Sequence, residues 1–523
     1  MKAYNQKASS HSNALKLPPS DELRIAVSFK GRESGLGITK FAARLSSASV
    51  GRFEPDPVDV DRAIEELHTL GFVVTGRGAM TISIRGSRSL FESTFETKLS
   101  EFKLDPKLQA SAHTFLYPAP GAPWKPNPKL ENLIDDAYIQ WPHIYMTTKK
   151  PARTPAKRRA THAGAVSARK VTTKKKAAVG STIPKVPYFH LNVLHDVPRL
   201  LNVDAIHTNG GTGAGVRVAM IDTGFAHSHP WFKKNHFTSS VVLAPGASNR
   251  ETDPGSHGTG ESANIFAIAP KVTFIGVKTE DDINPSGGAS ILEGFQEALK
   301  HSPHVISVSM GYDLRTGNSS TPLSALPNSL KALEAEIQAA VASGITVIFS
   351  AGNGHYSFPG MMPEVISAGG TFVDKNGAMQ ASDYASAFPS AIYSGRSVPD
   401  FCGLVGMRPH ADYIMLPVPP GKTIDTENAP HDLTKPNDGW AVFSGTSAAA
   451  PQLAGVCALL IEKNPTLKPA EVKALLTRTA RDVTTGNANP DSDVSGVGVR
   501  AGPNRDGATG SGLVDAFAAW QQL

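Results

Sequence analysis

The sequence has little cysteine and no long apolar run. Its two cysteines, Cys402 and Cys457, are too few for a disulfide framework, and both stand among apolar residues. We therefore predict two buried, unreactive thiols. No run of about 18 apolar residues occurs, so neither a membrane span nor a membrane partner is predicted. The opening residues, MKAYNQKASSHSNALKLPPS, lack an apolar core segment and do not predict a Sec-type signal peptide. An intracellular location is favoured, with export by another route left open.

Negative charge is missing from one long stretch. Residues 149–176 contain eleven Lys or Arg and no acidic residue, whereas the whole chain carries only +6. The basicity is therefore local, and the rest of the chain is net negative. Ala, Thr and Pro between the charges predict a disordered tether. A nucleic-acid-binding arm is the alternative, and it is not favoured because no aromatic residues are interleaved.

The part of the chain before the tether predicts a small α+β unit. Alternating apolar residues predict strands, and apolar residues at helical spacing predict two helices. The predicted elements, in order, are strand Leu23–Phe29, helix Val58–Leu70, strands Phe72–Thr75 and Thr81–Ile84, and helix Ser89–Leu99. One more strand would complete a ferredoxin-like β-α-β-β-α-β unit. The Pro-rich segment that follows cannot be regular, although Leu130–Trp141 is predicted to dock as a short helix.

After the tether, strands alternate with helices. Residues 186–202 are expected to wrap onto this part of the chain, before the apolar, mostly β-branched run that ends at Asp222. The next predicted elements are strand Val272–Val277, helix Ser290–Lys300, strand His304–Met310, helix Leu330–Ser343, strand Ile345–Phe349 and strand Glu364–Ala368. Such alternation predicts an α/β fold with a doubly wound, mostly parallel sheet and helices on both faces.

Three polar residues stand at junctions between the predicted strands and helices, and a fourth ends a predicted strand. Asp222 ends a buried strand, where open α/β sheets place their sites. His257 opens a helix of small residues, and Asn353 ends a strand with a neutral side-chain donor. Ser447 lies in a small-residue loop at the start of a helix whose first turn would include Pro451. Taken alone, this serine could be a plain helix cap. An acid, a base and a hydroxyl in this order predict a nucleophilic site instead.

At these residues the chain resembles the subtilisin family of serine endopeptidases. The motifs IDTG, HGTG, SAGNG and GTSAAAP occur in the family's order within Val216–Ala519. The resemblance implies Ser447 as nucleophile, His257 as general base and then acid, and Asp222 as its orienting partner. It also implies that Asn353 donates to the oxyanion together with the backbone N–H of Ser447. No cofactor is expected for catalysis.

The resemblance also implies a groove for a protein or peptide substrate. An extended peptide would add to the edge of a strand there. The implied groove residues are Ser309, Met310, Gly311, Ser350, Ala351 and Gly352. Tyr312 follows where the family usually has a small residue, so a narrowed pocket is expected.

Two departures from the family pattern are similar to sedolisins, its acid-stable relatives. Gly260 stands where a second histidine is usual, and Glu261 lies one helical turn beyond His257. Sedolisins carry an acid at this second position, but they replace His257 by Glu and Asn353 by Asp. Chemistry at neutral pH is therefore expected here. Glu261 is interpreted either as a surface or helix-terminus carboxylate, or as a second orienting acid near the site.

The C-terminal part resembles the sedolisin calcium loop. Carboxylates and backbone carbonyls on two loops are the hard oxygen ligands that Ca²⁺ prefers. The residues carried over by this resemblance are Asp482, Val483, Gly502, Asn504 and Asp506. A metal-free turn is the alternative, because Asn504 stands where sedolisins usually have Gly.

The resulting hypothesis is a self-inhibited precursor of a serine endopeptidase. Residues 1–19 are predicted to be disordered, and residues 20–146 to form an inhibitory propeptide. Residues 147–186 are predicted to form a linker that contains the processing site, and residues 187–523 to form the catalytic domain. The propeptide-like part is similar to those of subtilases, with a sedolisin-like feature, and an unrelated binding module is its alternative. For the whole chain, a silent peptide-binding protein and a dedicated processing protease in a defence or signalling pathway remain open.

Overall fold

A computed structural model describes residues 22–39, 45–103, 114–118, 122–145, 179–284, 287–315 and 321–523. The predicted disordered N-terminus and the basic stretch 149–176 lie outside the described residues. A small unit precedes the basic stretch. Its elements are β1 (Glu22–Phe29), α1 (Pro57–Leu70), β2 (Val73–Arg77), β3 (Thr81–Ser87), α2 (Arg88–Thr94), β4 (Leu99–Lys103), β5 (Thr114–Pro118), β6 (Ile134–Ile139) and β7 (Ile144–Tyr145).

A larger unit follows the basic stretch. Its strands are β8 (Leu191–Asn192), β9 (Arg217–Asp222), β10 (Ser239–Leu243), β11 (Thr273–Lys278), β12 (Val305–Val308), β13 (Met310–Asp313), β14 (Thr346–Ser350), β15 (Ser357–Phe358), β16 (Ile366–Val373), β17 (Met379–Ala381), β18 (Phe388–Pro389), β19 (Ser397–Val398), β20 (Phe401–Leu404), β21 (Ile414–Pro417) and β22 (Trp440–Phe443). Its helices are α3 (Asp196–Leu200), α4 (Asp204–Thr208), α5 (Pro230–Lys234), α6 (Gly258–Ile268), α7 (Ile291–Leu299), α8 (Asn328–Ala342), α9 (Thr423–Asp432), α10 (Thr446–Lys463), α11 (Pro469–Thr479) and α12 (Ala516–Gln521).

The small unit has the predicted β-α-β-β-α-β order. Its antiparallel sheet runs β2-β3-β1-β6, so β6 closes the sheet beside β1. α1 starts where the sequence predicts, because the Asp56 side chain accepts the N–H of Val58 and Pro57 occupies the first turn. The ferredoxin-like pattern is therefore confirmed for the described residues of this unit.

Two predictions in the small unit are wrong. The helix predicted over Ser89–Leu99 ends at Thr94, where Phe95 stacks on Trp124 at 4.5 Å between ring centroids. The chain then turns into β4. Leu130–Trp141, predicted as a short helix, forms a turn followed by β6. Pairing with β1, more than a hundred residues earlier, decides its conformation, and local sequence does not show that partner.

The larger unit is built on a sheet in the order β10-β11-β9-β12-β14-β16-β17, with β20 also beside β16. Every pair is parallel except β16–β17. Along β9, Val218 and Met220 face one hydrophobic core, whereas Ala219 and Ile221 face a second core on the other side. The predicted doubly wound α/β fold is therefore confirmed.

The helices divide between the two faces of this sheet. α6 and α10 pack together in the first core, and α7 and α8 lie in the second. Glu462, near the C-terminal end of α10, accepts the backbone N–H groups of Thr212, Gly213 and Ala214 at 2.7, 2.7 and 3.0 Å. This contact fixes the far end of α10 to the loop that leads towards β9.

The small unit docks on α7 and α8 through buried polar contacts. Arg85 in β3 forms a two-point ion pair with Glu293 in α7, with Nε–Oε1 3.0 Å and Nη2–Oε2 3.1 Å. Glu336 in α8 accepts the N–H groups of Met80 and Thr81 at 3.0 and 2.7 Å. Both glutamates are almost fully buried, so these contacts depend on the two units remaining together.

The end of the small unit reaches a strand of the larger unit. β7 pairs antiparallel with β13, with Tyr145 opposite Met310 and Ile144 opposite Gly311. The other end of β13 pairs with β15. Residues 186–202 also contact the larger unit as predicted, since β8 pairs with β21. Along the described residues, no helix combines the length and the apolar character needed to cross a membrane.

Candidate active site

Asp222 and His257 meet at the end of the central strand. Asp222 is the last residue of β9, and its Oδ1 lies 2.8 Å from Nδ1 of His257. His257 precedes the first residue of α6 but does not use its side chain to cap that helix. Both side chains are almost fully buried. A carboxylate at this distance holds the imidazole in the tautomer that carries its proton on Nδ1.

A second buried acid supports this pair. The N–H of Thr223 donates to Asp222 Oδ1 at 2.8 Å, and its hydroxyl donates to Asp253 Oδ1 at 2.6 Å. Asp253 also accepts the N–H of Thr259 at 2.9 Å and so caps α6. Burial raises the pKa of Asp253 to about 6, against the effect of these hydrogen bonds. The strand that carries Asp222 and the helix that follows His257 are thus joined by one carboxylate.

The charges around His257 oppose the effect of its burial. Burial alone would lower the pKa of His257, but the negative charge of Asp222 and the hydrogen bond to it raise the pKa above its ordinary value. Glu261 and Asp253 contribute in the same direction. The site therefore favours a protonated imidazole more strongly than water does.

Ser447 lies in the first turn of α10, which begins one residue earlier, at Thr446. Its backbone N–H is one of the N-terminal donors that no carbonyl within the helix can accept. The Ser447 side chain is buried, and its Oγ lies 3.5 Å from the carbonyl oxygen of Ser309. The serine thus stands at the positive end of an 18-residue helix dipole.

The prediction that Pro451 lies in the first helical turn is wrong, because the helix already starts at Thr446. Pro451 has no N–H for the carbonyl of Ser447, four residues earlier. That carbonyl instead accepts the hydroxyl of Ser309 at 2.9 Å. Ser309, predicted as a groove residue, therefore also fixes the backbone of Ser447. It separates β12 from β13, where a single strand was predicted over His304–Met310.

Asn353 is fixed against the same turn of α10. Its Oδ1 accepts both the N–H and the hydroxyl of Thr446 at 3.0 Å. A Cβ on Gly445 would lie 2.7 Å from Nδ2 of Asn353, so only glycine leaves room for this amide. The side-chain N–H₂ of Asn353 is thereby placed beside the segment that leads into Ser447.

Glu261 is fully buried, so its interpretation as a surface carboxylate is wrong. Its Oε1 lies 3.8 Å from Nε2 of His257, and its Oε2 accepts Nδ2 of Asn264 at 3.0 Å. Burial raises the pKa of Glu261, whereas His257 acts in the opposite direction. A Cβ on Gly260 would lie 2.5 Å from the ring of Phe443, which explains why no histidine stands there.

The other predicted groove residues lie around this centre. Met310 and Gly311 are in β13, opposite β7. Ser350 ends β14, Ala351 follows it, and the N–H of Gly352 donates to the hydroxyl of Thr446 at 3.1 Å. Tyr312 is buried in the core beside Phe358, with its pKa raised by burial.

The predicted calcium residues come together in two loops. Asp482 Oδ2 accepts the N–H of Asn504 at 2.9 Å, and Asp506 Oδ2 accepts the N–H of Gly502 at 2.8 Å. Asn504 adopts a positive φ of 64°, which fits a position where glycine is usual. These bonds between carboxylate and backbone support the loops without an ion. Among the described residues, no group of three His, Cys, Asp or Glu side chains could hold a metal. Calcium at Asp482, Val483, Gly502, Asn504 and Asp506 stays a prediction.

Sequence reasoning missed two supporting residues, Thr446 and Asp253. Thr446 is adjacent to Ser447, and its role depends on Asn353, which is 93 positions away. Asp253 lies four residues before the N-cap residue His257, so the N-cap preference for acids does not identify it from the sequence. The predicted buried thiols are present: burial raises the pKa of Cys402 and Cys457 to about 12 each.

A model of the subtilase family matches residues 213–498. Subtilisin E from Bacillus subtilis (strain 168) is 28% identical over 296 residues, which cover 54% of this chain and 64% of that protein. Alkaline elastase YaB from Bacillus sp. (strain YaB) is 27% identical over 324 residues, which cover 60% of this chain and 66% of that protein.

Among solved structures, fervidolysin from Fervidobacterium pennivorans, a keratinolytic enzyme related to subtilisin, is similar with a TM-score of 0.51 and 16% identity. The match covers 96% of this chain and 61% of fervidolysin, and it supports the fold alone. The chain thus spans somewhat less than two thirds of the length of these relatives. Because the family model covers more than half of the sequence, the chain belongs to the subtilase family.

Proposed function

We propose that the chain is a serine endopeptidase that is made as a self-inhibited precursor. The observation that carries the proposal is the 2.8 Å contact between Asp222 and His257. Ser447 lies in the first turn of α10. An acid–imidazole pair and a serine at a helix N-terminus are the parts that acyl transfer needs.

His257 acts as the base in this mechanism. With the Nδ1 proton donated to Asp222, the Nε2 lone pair accepts the proton of the Ser447 hydroxyl as Oγ attacks the peptide carbonyl. The imidazolium that forms is stabilised by the charge of Asp222. It then gives its proton to the leaving amine, and an acyl-enzyme remains for hydrolysis by water.

The N-terminus of α10 and Asn353 stabilise the oxyanion. The backbone N–H of Ser447 is available there because it belongs to the first helical turn. Asn353 contributes its side-chain N–H₂, whose orientation is set by the two bonds from Thr446 to Oδ1. Donors that are fixed before the reaction need no reorganisation as charge develops on the carbonyl oxygen.

The proposed substrate is a protein or peptide in extended conformation. Such a chain would pair with β13 at Met310 and Gly311, where main-chain bonds supply affinity and side-chain pockets supply selectivity. β7 occupies this position in the uncut chain. One strand edge pairs with one chain at a time, so residues 20–146 exclude substrate while they remain docked. This occupancy supports the proposal of a latent precursor.

The decisive test replaces the nucleophile. After both proteins are cut in the basic stretch by an added protease that is then removed, Ser447→Ala protein should show a kcat for a peptide substrate about 10⁶ lower than the unsubstituted protein, and it should no longer react with a fluorophosphonate probe. Ser343→Ala is a matched control, since that hydroxyl only bonds the carbonyl of Ala340 at the end of α8. Retained hydrolysis in Ser447→Ala would contradict the proposal, and a silent peptide-binding protein would be inactive before any substitution.

A further inference from the structure

A buried carboxylate faces the base on the side away from Asp222. Glu261 is 0% exposed, and its Oε1 lies 3.8 Å from His257 Nε2, whereas Asp222 contacts Nδ1. Among the residues that the structure describes, Glu261 Oε1 has no hydrogen-bond donor. Burying a carboxylate oxygen without a donor is costly unless a proton or a positive charge compensates. His257 is the compensating group nearby.

Neutral hydrogen bonds hold Glu261 in this position. Its Oε2 accepts Nδ2 of Asn264, and Oδ1 of Asn264 accepts Nε2 of Gln452 at 3.3 Å. Gln452, in α10, is held in turn by the N–H of Leu404 at 2.7 Å. The carboxylate is therefore fixed by the helix that carries the nucleophile and by a strand of the sheet. The Glu261 side chain is therefore held in one position and is not exposed to solvent.

Two further carboxylates act on the charge of His257. Asp222 on β9 contacts His257 directly, and Asp253, in the loop before α6, also acts on its charge. Phe443 and Leu416, from β22 and β21, pack against the same turn of α6 at Gly260. The imidazole thus contacts two carboxylates and feels the charge of a third. Each favours the imidazolium, and burial disfavours a lone charge on Glu261.

We propose that Glu261 is a positioning residue whose charge forms an ion pair with His257 at Nε2 and sets the pH at which His257 becomes a base. The proposal rests on the proposed function of His257 as general base. In the resting site, Nε2 is protonated and lies 3.8 Å from Oε1 of Glu261, so the two charges attract each other without a hydrogen bond. When the Nε2 proton leaves to solvent, Nε2 becomes able to accept the proton of Ser447. Activity therefore rises with pH as this proton is lost.

The test compares Glu261→Gln with the unsubstituted protein after both chains have been cut in the basic stretch. The glutamine amide keeps the size of the side chain and the bond to Asn264, but it carries no negative charge. The acid limb of kcat/KM against pH should move about 1–3 units lower, the usual effect of one neighbouring charge. Glu334→Gln is the matched control, because that buried carboxylate accepts the hydroxyl of Tyr393 at 2.7 Å on the other face of the sheet. Its limb should not move.

An unchanged acid limb in folded Glu261→Gln protein would overturn the proposal, whatever happens to the maximal rate. If this variant fails to fold, NMR of the full Ser447→Ala chain gives a second measurement. The His257 ring and the Glu261 carboxyl carbon should titrate together with shared apparent pKa values. A Glu261 carboxyl that titrates alone near its ordinary value of about 4.3 would also overturn the proposal. This measurement needs no hydrolysis, so it remains valid if the proposed function fails.

Discussion

Single residues in this site are held by bonds to the backbone of their neighbours. Asn353 is the clearest example: one side-chain oxygen accepts two bonds from Thr446, which fix the orientation of the amide. Ser309 fixes the backbone of Ser447 in a comparable way, through the carbonyl that Pro451 leaves without a helical donor. The orientation of the proposed oxyanion donors is therefore a property of two loops and one helix start.

Replacing Asn353 by Ala should lower kcat by roughly 10²–10³, with little change in KM, because the amide acts on charge that develops only in the transition state. Thr446→Val is the companion variant. It removes the hydroxyl that bonds Asn353 Oδ1 but keeps the N–H, so the loss should be smaller. Steady-state kinetics on the processed protein measure both values. An Asn353→Ala enzyme with unchanged kcat would exclude the residue from the oxyanion site.

At the scale of elements, the sequence predicted what depends on local pattern. Asp222, His257 and Ser447 stand between a strand and a helix, and Asn353 lies in the loop after β14. The strands and helices beside these residues show in hydrophobic periodicity. Two of the wrong predictions involve distant partners. Residues 134–139 form a strand because β1 is beside them, and the helix after β3 ends where Phe95 stacks on Trp124. A single sequence does not show these contacts.

The docking of the small unit should depend on the ion pair between Arg85 and Glu293. Removing one partner of a buried pair costs about 3–5 kcal/mol, because the other charge stays buried. Arg85→Ala should therefore make the uncut chain react faster with a fluorophosphonate probe. Arg77→Ala is the control, since its pair with Asp61 at 2.6 Å is exposed. If the two variants, shown by mass to be uncut, were labelled at equal rates, the ion pair between Arg85 and Glu293 would not contribute to latency.

On the scale of the whole molecule, one covalent connection, the basic stretch, keeps the small unit and the larger unit in the same chain. Residues 22–145 and 179–523 contact each other through α7, α8 and β13, while the basic stretch joins them in sequence. Docking within one chain has a high effective concentration, and a cut turns it into a weaker contact between two chains. The order of events is therefore cleavage first and release of the small unit second.

Full-length protein should be latent, and cleavage between Lys149 and Val186 followed by loss of the N-terminal piece should raise its activity. Several Lys and Arg in that segment suit either self-cleavage or a second protease. The Ser447→Ala chain should stay whole unless another protease is added. A time course of intact mass beside peptide hydrolysis follows both events. Full activity in a chain shown to be uncut would contradict the inhibitory role of residues 20–146.

The bond network of Glu462 has a mechanical consequence. α10 rises about 1.5 Å per residue, so Glu462 lies roughly 22 Å along the helix from Ser447. The Glu462 carboxylate accepts hydrogen bonds from the loop that precedes β9. α10 and β9 are thus connected at one end through Glu462, and they carry Ser447 and Asp222 at the other end. Adding or deleting a residue in α10 or β9 would shift Ser447 relative to Asp222. We therefore expect insertions and deletions to lower activity more in these two elements than in the surface loops.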